Sequence, residues 1–486
     1  MARPARSALV AAAIALALCR AAVAEGATAA ETLSLARAAL AAGEYAAART
    51  ALRGLRSSFP ADALVADSFA IDAAVALAER DPLRARAFVA LLAARFPGSR
   101  PAFSAALAVA DWYHELPDRA GSLEYYLAAI AAHGGGADRD GLDRALLRAA
   151  ATESWLGVDG RAAREHFRAV RPAALEGADR ELYRSLRVRL AWERFDAGRL
   201  GLADANISAL AVDGDDLWVG TWNGGAARWS LSGEVATRFP NPAYPRAFEP
   251  TDRRVWVATF EGLASYARAT GRWSLVPELQ EPAPAKVQAL EAVSGDLYAG
   301  TLGDGLLRLR DGVWETVSDG GYPGRFVNCL AADGGRLLVG TMDHGLLVLD
   351  LRTGRFESLA ALHPAFTARN VTTVIADRGR VWIGTYGEGL WRWEGGAVRR
   401  FGKDTGEIGD DWVLASCRVA DGVWFGTFGA GASFAGDDGS WRRLGVADGL
   451  PSLDVSAIAW RPPLLFLGTL GAGVCAYWEG ADGPLP

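Results

Sequence analysis

The sequence lacks most of the features that announce a chemistry. It holds four cysteines and five histidines in 486 residues. None of them falls in a C-x-x-C or other metal-ligand spacing, which excludes a zinc-type centre. No phosphate-cradling loop or serine-nucleophile elbow occurs; Gly387-x-Gly389 and Gly471-x-Gly473 read as turns, since no helix pattern follows them. A formal net charge of −6 with no long Lys/Arg run removes the electrostatic footprint of a nucleic-acid binder. The body of the chain contains no apolar stretch near the roughly 20 residues that a membrane-spanning helix needs.

What remains is globular composition, 51% hydrophobic and 22% charged, on a length that calls for more than one domain. Residues 1–200 hold 3 of the 17 tryptophans and 13 of the 56 glycines, and the rest lie after residue 200. Two architectures therefore share the chain. At the start, Arg3 and Arg6 precede the apolar run Ala8 to Leu18, and Ala22-Val23-Ala24 offers a small-x-small cleavage site. This predicts a signal peptide over 1–24 and an exported protein, periplasmic or extracellular; a lipid anchor on Cys19 is disfavoured by the bulky Leu18 directly before it, where lipoprotein signals have a small residue. Cys329, Cys417 and Cys475 then remain, each beside an apolar strand pattern, and are expected to be buried inert thiols.

Residues 28–195 are rich in Ala, Leu and Arg with apolar residues at helical spacing, as in Leu33, Ala36 and Leu40. The set Gly43, Tyr45, Ala48, Leu52, Leu55, Pro60 recurs in part 37 residues later as Ala85, Val89, Leu92 and Pro97. Weaker copies are Gly121, Tyr125, Ala128 and Ala163, Phe167, Val170, with the Gly134-Gly135-Gly136 loop interrupting the array. The pattern resembles tetratricopeptide repeats, an α-α solenoid, which implies a concave groove for a protein partner; a spacer without a ligand is the alternative. His114, His133 and His166 occur singly and read as surface or interhelical residues.

Residues 198–480 carry a stronger repeat. A Gly-Thr or Ala-Thr ends at Thr221, Thr259, Thr301, Thr341, Thr385, Thr427 and Thr469, at spacings of 38, 42, 40, 44, 42 and 42. Three residues earlier stands Trp218, Trp256, Tyr298, Leu338, Trp382, Trp424 or Phe466. Four residues later comes a glycine, and the shorter second unit uses Gly262. Four short strands per period of about 40 residues is a β-propeller blade, and the aromatic position is read as packing between blades. The seventh unit stops near Trp478, so residues near 198–203 are expected to supply its outer strand and close the ring. Residues 481–486 form a tail.

Asp448-Gly449-Leu450-Pro451-Ser452 followed by Leu467-Gly468-Thr469, and Val371 followed by Trp382-Ile383-Gly384-Thr385-Tyr386-Gly387-Glu388-Gly389, resemble the two-component regulator propeller repeat. That resemblance covers more than half of the chain and implies a seven-bladed β-propeller of the kind found in exported ligand-sensing domains, with a role in signal transduction. The fold class is thus multidomain α plus all-β, a solenoid followed by a propeller. The family's second propeller, membrane helix and kinase have no counterpart in the sequence, so sensing would have to pass through a partner.

Two sets of positions are candidate binding residues on one propeller face. Before each inner strand stand Asn206, Tyr244, Lys286, Phe326, Asn370, Trp412 and Asp454; three residues after Thr stand Asp304, His344 and Glu388, with Gly or Ala in other blades. Aromatic faces that stack and polar groups that fix hydroxyls suit a small polar or carbohydrate ligand. An enzyme, a polysaccharide lyase or glycoside hydrolase using Asp304, His344 and Glu388, is the alternative, and a pure assembly scaffold is a third. No catalytic residue, cofactor or metal is assigned, and His363 has no partner histidine. The sequons at Asn206 and Asn370 both open inner strands and are read as coincidental.

Overall fold

Local signals set where five of the helices begin. Thr28 and Glu31 form a reciprocal capping box, and Asp81, Ser99, Asp118 and Asp138 each accept a backbone N–H at the start of a helix. The computed structural model describes residues 27–116, 118–134, 138–157, 160–195, 198, 200–232, 235–239, 244–275, 286–318 and 324–479. The expected signal peptide, Cys19 and the tail lie outside the described residues. The chain divides between Leu186 and Arg187 into two units.

In the first unit, helix Ala29–Ala41 pairs with Tyr45–Ser58, Val65–Ala78 with Pro82–Arg95, Arg100–Glu115 with Arg119–Ala132, and Arg139–Leu156 with Gly160–Ala169. The repeat positions Ala48, Leu52, Leu55, Ala85, Leu92, Ala163 and Phe167 are fully buried. The third copy is corrected by one residue. The in-phase buried positions are Ser122, Tyr126 and Ala129, because the 37-residue offset carries Ala85, Val89 and Leu92 onto them. Gly134 has a packing reason: a Cβ there would lie 2.1 Å from the Gly98 carbonyl oxygen. The histidines are interhelical. His133 meets the Phe103 ring edge-on at 5.3 Å, and His166 Nδ1 sits 2.9 Å from the Glu153 carboxylate.

The second unit is the seven-bladed β-propeller, seven four-stranded antiparallel sheets. The inner strands are Ile207–Asp213, Pro245–Pro250, Val287–Val293, Val327–Asp333, Val371–Asp377, Val413–Val419 and Val455–Arg461, and each contacts the next, with the last returning to the first. Each second strand ends on the repeated threonine, and those seven threonines are fully buried. The hydroxyl explains the repeat. Thr341 Oγ1 donates to the Gly345 carbonyl at 2.8 Å and accepts the His344 N–H at 2.9 Å, and the other six make the same donation to their own turn glycine. Gly345 itself has φ +70°, a region costly for residues with a Cβ.

Ring closure differs from the expectation. The outer strand of the last blade is Trp192–Phe195, paired from Trp192↔Tyr477 to Phe195↔Val474, not residues 198–203. In blade six the outer strand ends at Leu444, 11 residues before Val455, and Phe195 precedes Ile207 by 12. Leu200 lies too close to Ile207 to take that place. Leu200 and Leu202 are instead buried with Phe195 and Trp229 in one core cluster.

Candidate functional site

Every inner strand starts with the same irregularity. Its first residue pairs with the repeated threonine, the second is skipped, and pairing resumes at the third, as in Val371↔Thr385 followed by Thr373↔Gly384. The same bulge occurs in the other six blades. A bulge turns the unpaired side chain away from the regular alternation. Here the seven bulged residues, Ser208, Arg246, Gln288, Asn328, Thr372, Leu414 and Ser456, all line one cavity of about 800 Å³ at the propeller axis.

Several of these residues also tie blade to blade. Ser208 donates to the Pro245 carbonyl, Asn328 to that of Val371 at 3.0 Å, Thr372 to that of Val413, and Ser456 to that of Ile207 at 2.6 Å. Each acceptor opens the inner strand of the following blade. The polar ring is therefore held in place before any ligand arrives, which lowers the ordering cost of binding.

A second ring stands at the mouth. The residue after each repeated threonine is Trp222, Phe260, Leu302, Met342, Tyr386, Phe428 or Leu470, apolar in every blade. In six of the blades its N–H reaches back to the residue before the inner strand, as from Tyr386 to Asn370 O and from Phe428 to Trp412 O, both 3.0 Å. Tyr386, Trp412 and Phe428 form a stack, with ring centroids 4.3 and 5.5 Å apart. They nevertheless remain 49%, 36% and 41% exposed. Trp222, Phe326 and Met342 are exposed near the same mouth. A cluster of exposed aromatic faces is unusual on a protein surface, which makes this mouth a candidate contact site.

Of the nine predicted site residues, Asn370 and Trp412 line the cavity. Tyr244, Lys286, Phe326 and Asp454 open their blades outside that lining, with the Tyr244 ring against Phe260 at 5.9 Å. Asp304, His344 and Glu388 belong to the threonine turns. Their backbone N–H groups bind the threonine oxygens, His344 Nδ1 meets Asp343 at 2.8 Å, and Glu388 accepts the Arg369 N–H. None of the three lines the cavity. The bulge ring and the residues after threonine were missed by the sequence reading. Counting 13 residues back and one forward from each threonine would have found both sets.

One cation stands among the lining residues. Arg246 Nε donates to Gln288 Oε1 at 3.1 Å, and its guanidinium carbon lies 4.8 Å from the Trp222 ring centroid and 5.5 Å from that of Phe260. Burial without a counter-charge pushes its pKa below the ordinary arginine value. Among the described residues no group of three or more His, Cys, Asp or Glu is placed to hold a metal ion.

No family model and no curated protein matches this chain. Among solved structures, it is similar to the extracellular domain of a putative one-component system from B. thetaiotaomicron, at 18% identity and a TM-score of 0.49, over 59% of this chain and 39% of that one. The extracellular domain of a putative hybrid two-component system from the same organism gives 17% and 0.49, over 59% and 42%. PorZ, a surface component of the type-IX secretion system of Porphyromonas gingivalis, gives 15% and 0.44, over 58% and 47%. The chain thus matches less than half the length of each.

Proposed function

We propose that this protein is a non-catalytic recognition module, working outside the cytoplasm, whose propeller takes a small polar or carbohydrate ligand at the axial cavity. The observation that carries this reading is the juxtaposition of the exposed Tyr386–Trp412–Phe428 stack with the polar bulge ring on one cavity. Aromatic faces match the apolar faces of a pyranose, and fixed amide and hydroxyl groups match its hydroxyls. The lyase or hydrolase alternative gains no support from geometry, because Asp304, His344 and Glu388 are engaged in separate turns away from the lining.

The helical unit adds a candidate route for passing the signal on. Helices Ala29–Ala41, Val65–Ala78 and Arg100–Glu115 border a groove of about 430 Å³ whose floor includes Ala70, Ala74, Ser104 and Ala108. Small side chains leave room for an extended segment of a partner protein. For the propeller, a glycan array followed by calorimetry on the hits is the test. Trp412→Ala and Tyr386→Ala should each weaken binding about tenfold or more, in line with the loss of a stacking aromatic at a binding centre. Undiminished binding by both variants would overturn the reading.

A further inference from the structure

Arg246 stands out from the other residues of the cavity. The remaining lining side chains are apolar or neutral polar, including Ser208, Gln288, Asn328, Asn370, Thr372 and Ser456. Buried or half-buried cations in proteins are ordinarily paired with carboxylates, because desolvating a lone charge is costly. The propeller follows that rule elsewhere: Arg380 meets Asp377 and Asp437, Arg418 meets the same two aspartates, and Arg310 meets Asp296. Arg246 meets none among the described residues. Its one hydrogen bond there uses Nε, which fixes the guanidinium plane through Gln288 and leaves the two terminal nitrogens without a hydrogen-bond partner.

The placement of this cation suits a ligand better than it suits stability. Trp222 and Phe260 contact the guanidinium through their rings. They hold the group by cation–π attraction without consuming a donor. A planar fork held in this way presents two parallel N–H groups, the arrangement that takes a carboxylate in bidentate fashion. The chain as a whole carries a net charge of −6, so the cation is not part of a general positive surface.

We propose that the axial cavity selects ligands that carry a carboxylate, which docks on the free edge of Arg246, and that the ligand class is acidic rather than neutral sugars. This rests on the reading of the cavity as the ligand site. It adds a charge requirement that the aromatic stack alone does not impose. Arg246 is then a specificity-determining residue, supplied by a bulge position that in other blades is neutral.

The test is calorimetric titration of the full chain with galacturonate and glucuronate oligosaccharides, their neutral galactose and glucose counterparts, and glutarate and benzoate as carboxylates without a sugar ring. Acidic oligosaccharides should bind at least tenfold more tightly than the neutral ones, and their affinity should fall with added salt. Arg246→Gln should abolish that preference, and Arg246→Lys should restore only part of it, since an ammonium lacks the fork. Melting temperature separates this role from a structural one. Removing an unpaired, desolvated charge should leave it unchanged or raise it, whereas a scaffold arginine would lower it. Equal affinity for acidic and neutral sugars, unaffected by Arg246→Gln but lost in Trp412→Ala, would overturn this proposal and leave the recognition reading standing. Binding of glutarate and benzoate as tight as the acidic sugars would keep the carboxylate site and overturn the sugar assignment. Absence of binding by every acidic probe at millimolar concentration would overturn it outright.

Discussion

At the scale of single residues, repeated positions and variable positions answer to different forces. The seven threonines are identical because each buried hydroxyl donates to the carbonyl of its turn glycine, and in five of the blades it also accepts a backbone N–H of the same turn. Glu249 and Glu291 are variable positions with a physical signature of their own. Each sends its carboxylate to a backbone N–H of the following blade's inner strand, Ala292 and Ala332 respectively. Burial, helped by the neighbouring Glu291 charge, pushes the Glu249 pKa up to about 7 from an ordinary 4.5. The sign follows from linkage. The folded state holds a proton that the unfolded state has released, so this contribution is present in full below about pH 4.5 and is lost as pH rises to about 7. Glu249→Gln keeps the acceptor for Ala292 and removes the titration. Urea unfolding between pH 4.5 and 7 should show a stability that declines less steeply in this variant, by up to about 1.4 kcal/mol per pH unit. A decline as steep as that of the parent protein would show that Glu249 does not hold its proton. Of the three cysteines expected to be buried, Cys475 is buried and Cys329 and Cys417 are half-buried; desolvation of the thiols raises Cys417 to about 12 and Cys475 to about 11.

At the scale of elements, the strand Trp192–Phe195 decides whether the ring is closed. It covers the free edge of Val474–Trp478, which would otherwise offer unpaired backbone groups to another chain. Trp192 anchors it. Its ring lies 4.6 Å from that of Tyr477, and its indole N–H donates to the Asp448 carbonyl. Trp192→Ala should therefore destabilise the propeller by about 3–5 kcal/mol. It should also promote self-association at high concentration, read by denaturant unfolding and light scattering. A loss below 1 kcal/mol would mean that the ring closes without this strand. The sequence shows why one element was legible and the other was not. The threonine recurs in every unit, its turn glycine in every unit with one shift of a residue at Gly262, and the position three before the threonine is aromatic in six units and Leu338 in the other, because the turn and the wedge between blades admit few other residue types. The closing strand has no repeated marker, and the Leu-Gly-x-Ala-Asp similarity near 200–204 drew the reading to a segment that packs in the core without joining the sheet. The bulge ring was hidden for a third reason. Ser208, Arg246, Gln288, Asn328, Thr372, Leu414 and Ser456 share no side-chain type, and what unites them is a backbone irregularity that a period-two pattern does not express.

At the scale of the whole propeller, near-sevenfold structure carries a site with two unlike sides. Hydrogen bonds from bulged residues to the next blade run around much of the ring, from blade one to blade two and again from the last blade back to the first, yet the binding features gather at two places. Arg246, Trp222 and Phe260 belong to blades one and two, whereas Tyr386, Trp412 and Phe428 belong to blades five and six. In a closed ring of seven these pairs of blades face each other across the axis, and both sets of residues contribute to the lining of one cavity. A ligand held by its carboxylate on one side and stacked on the other must reach across. A cavity of about 800 Å³ lies in the range that encloses ligands larger than a single small ring. Affinity should accordingly rise from acidic monosaccharide to di- and trisaccharide and then level off as further units leave the cavity. Calorimetry over that length series would show it. Trp412→Ala should pull the longer ligands back towards the monosaccharide, because it removes only the far contact, whereas Arg246→Gln should weaken every member of the series. A monosaccharide that binds as tightly as the trisaccharide would instead confine recognition to one side of the ring and leave the opposite aromatic stack without a part in it.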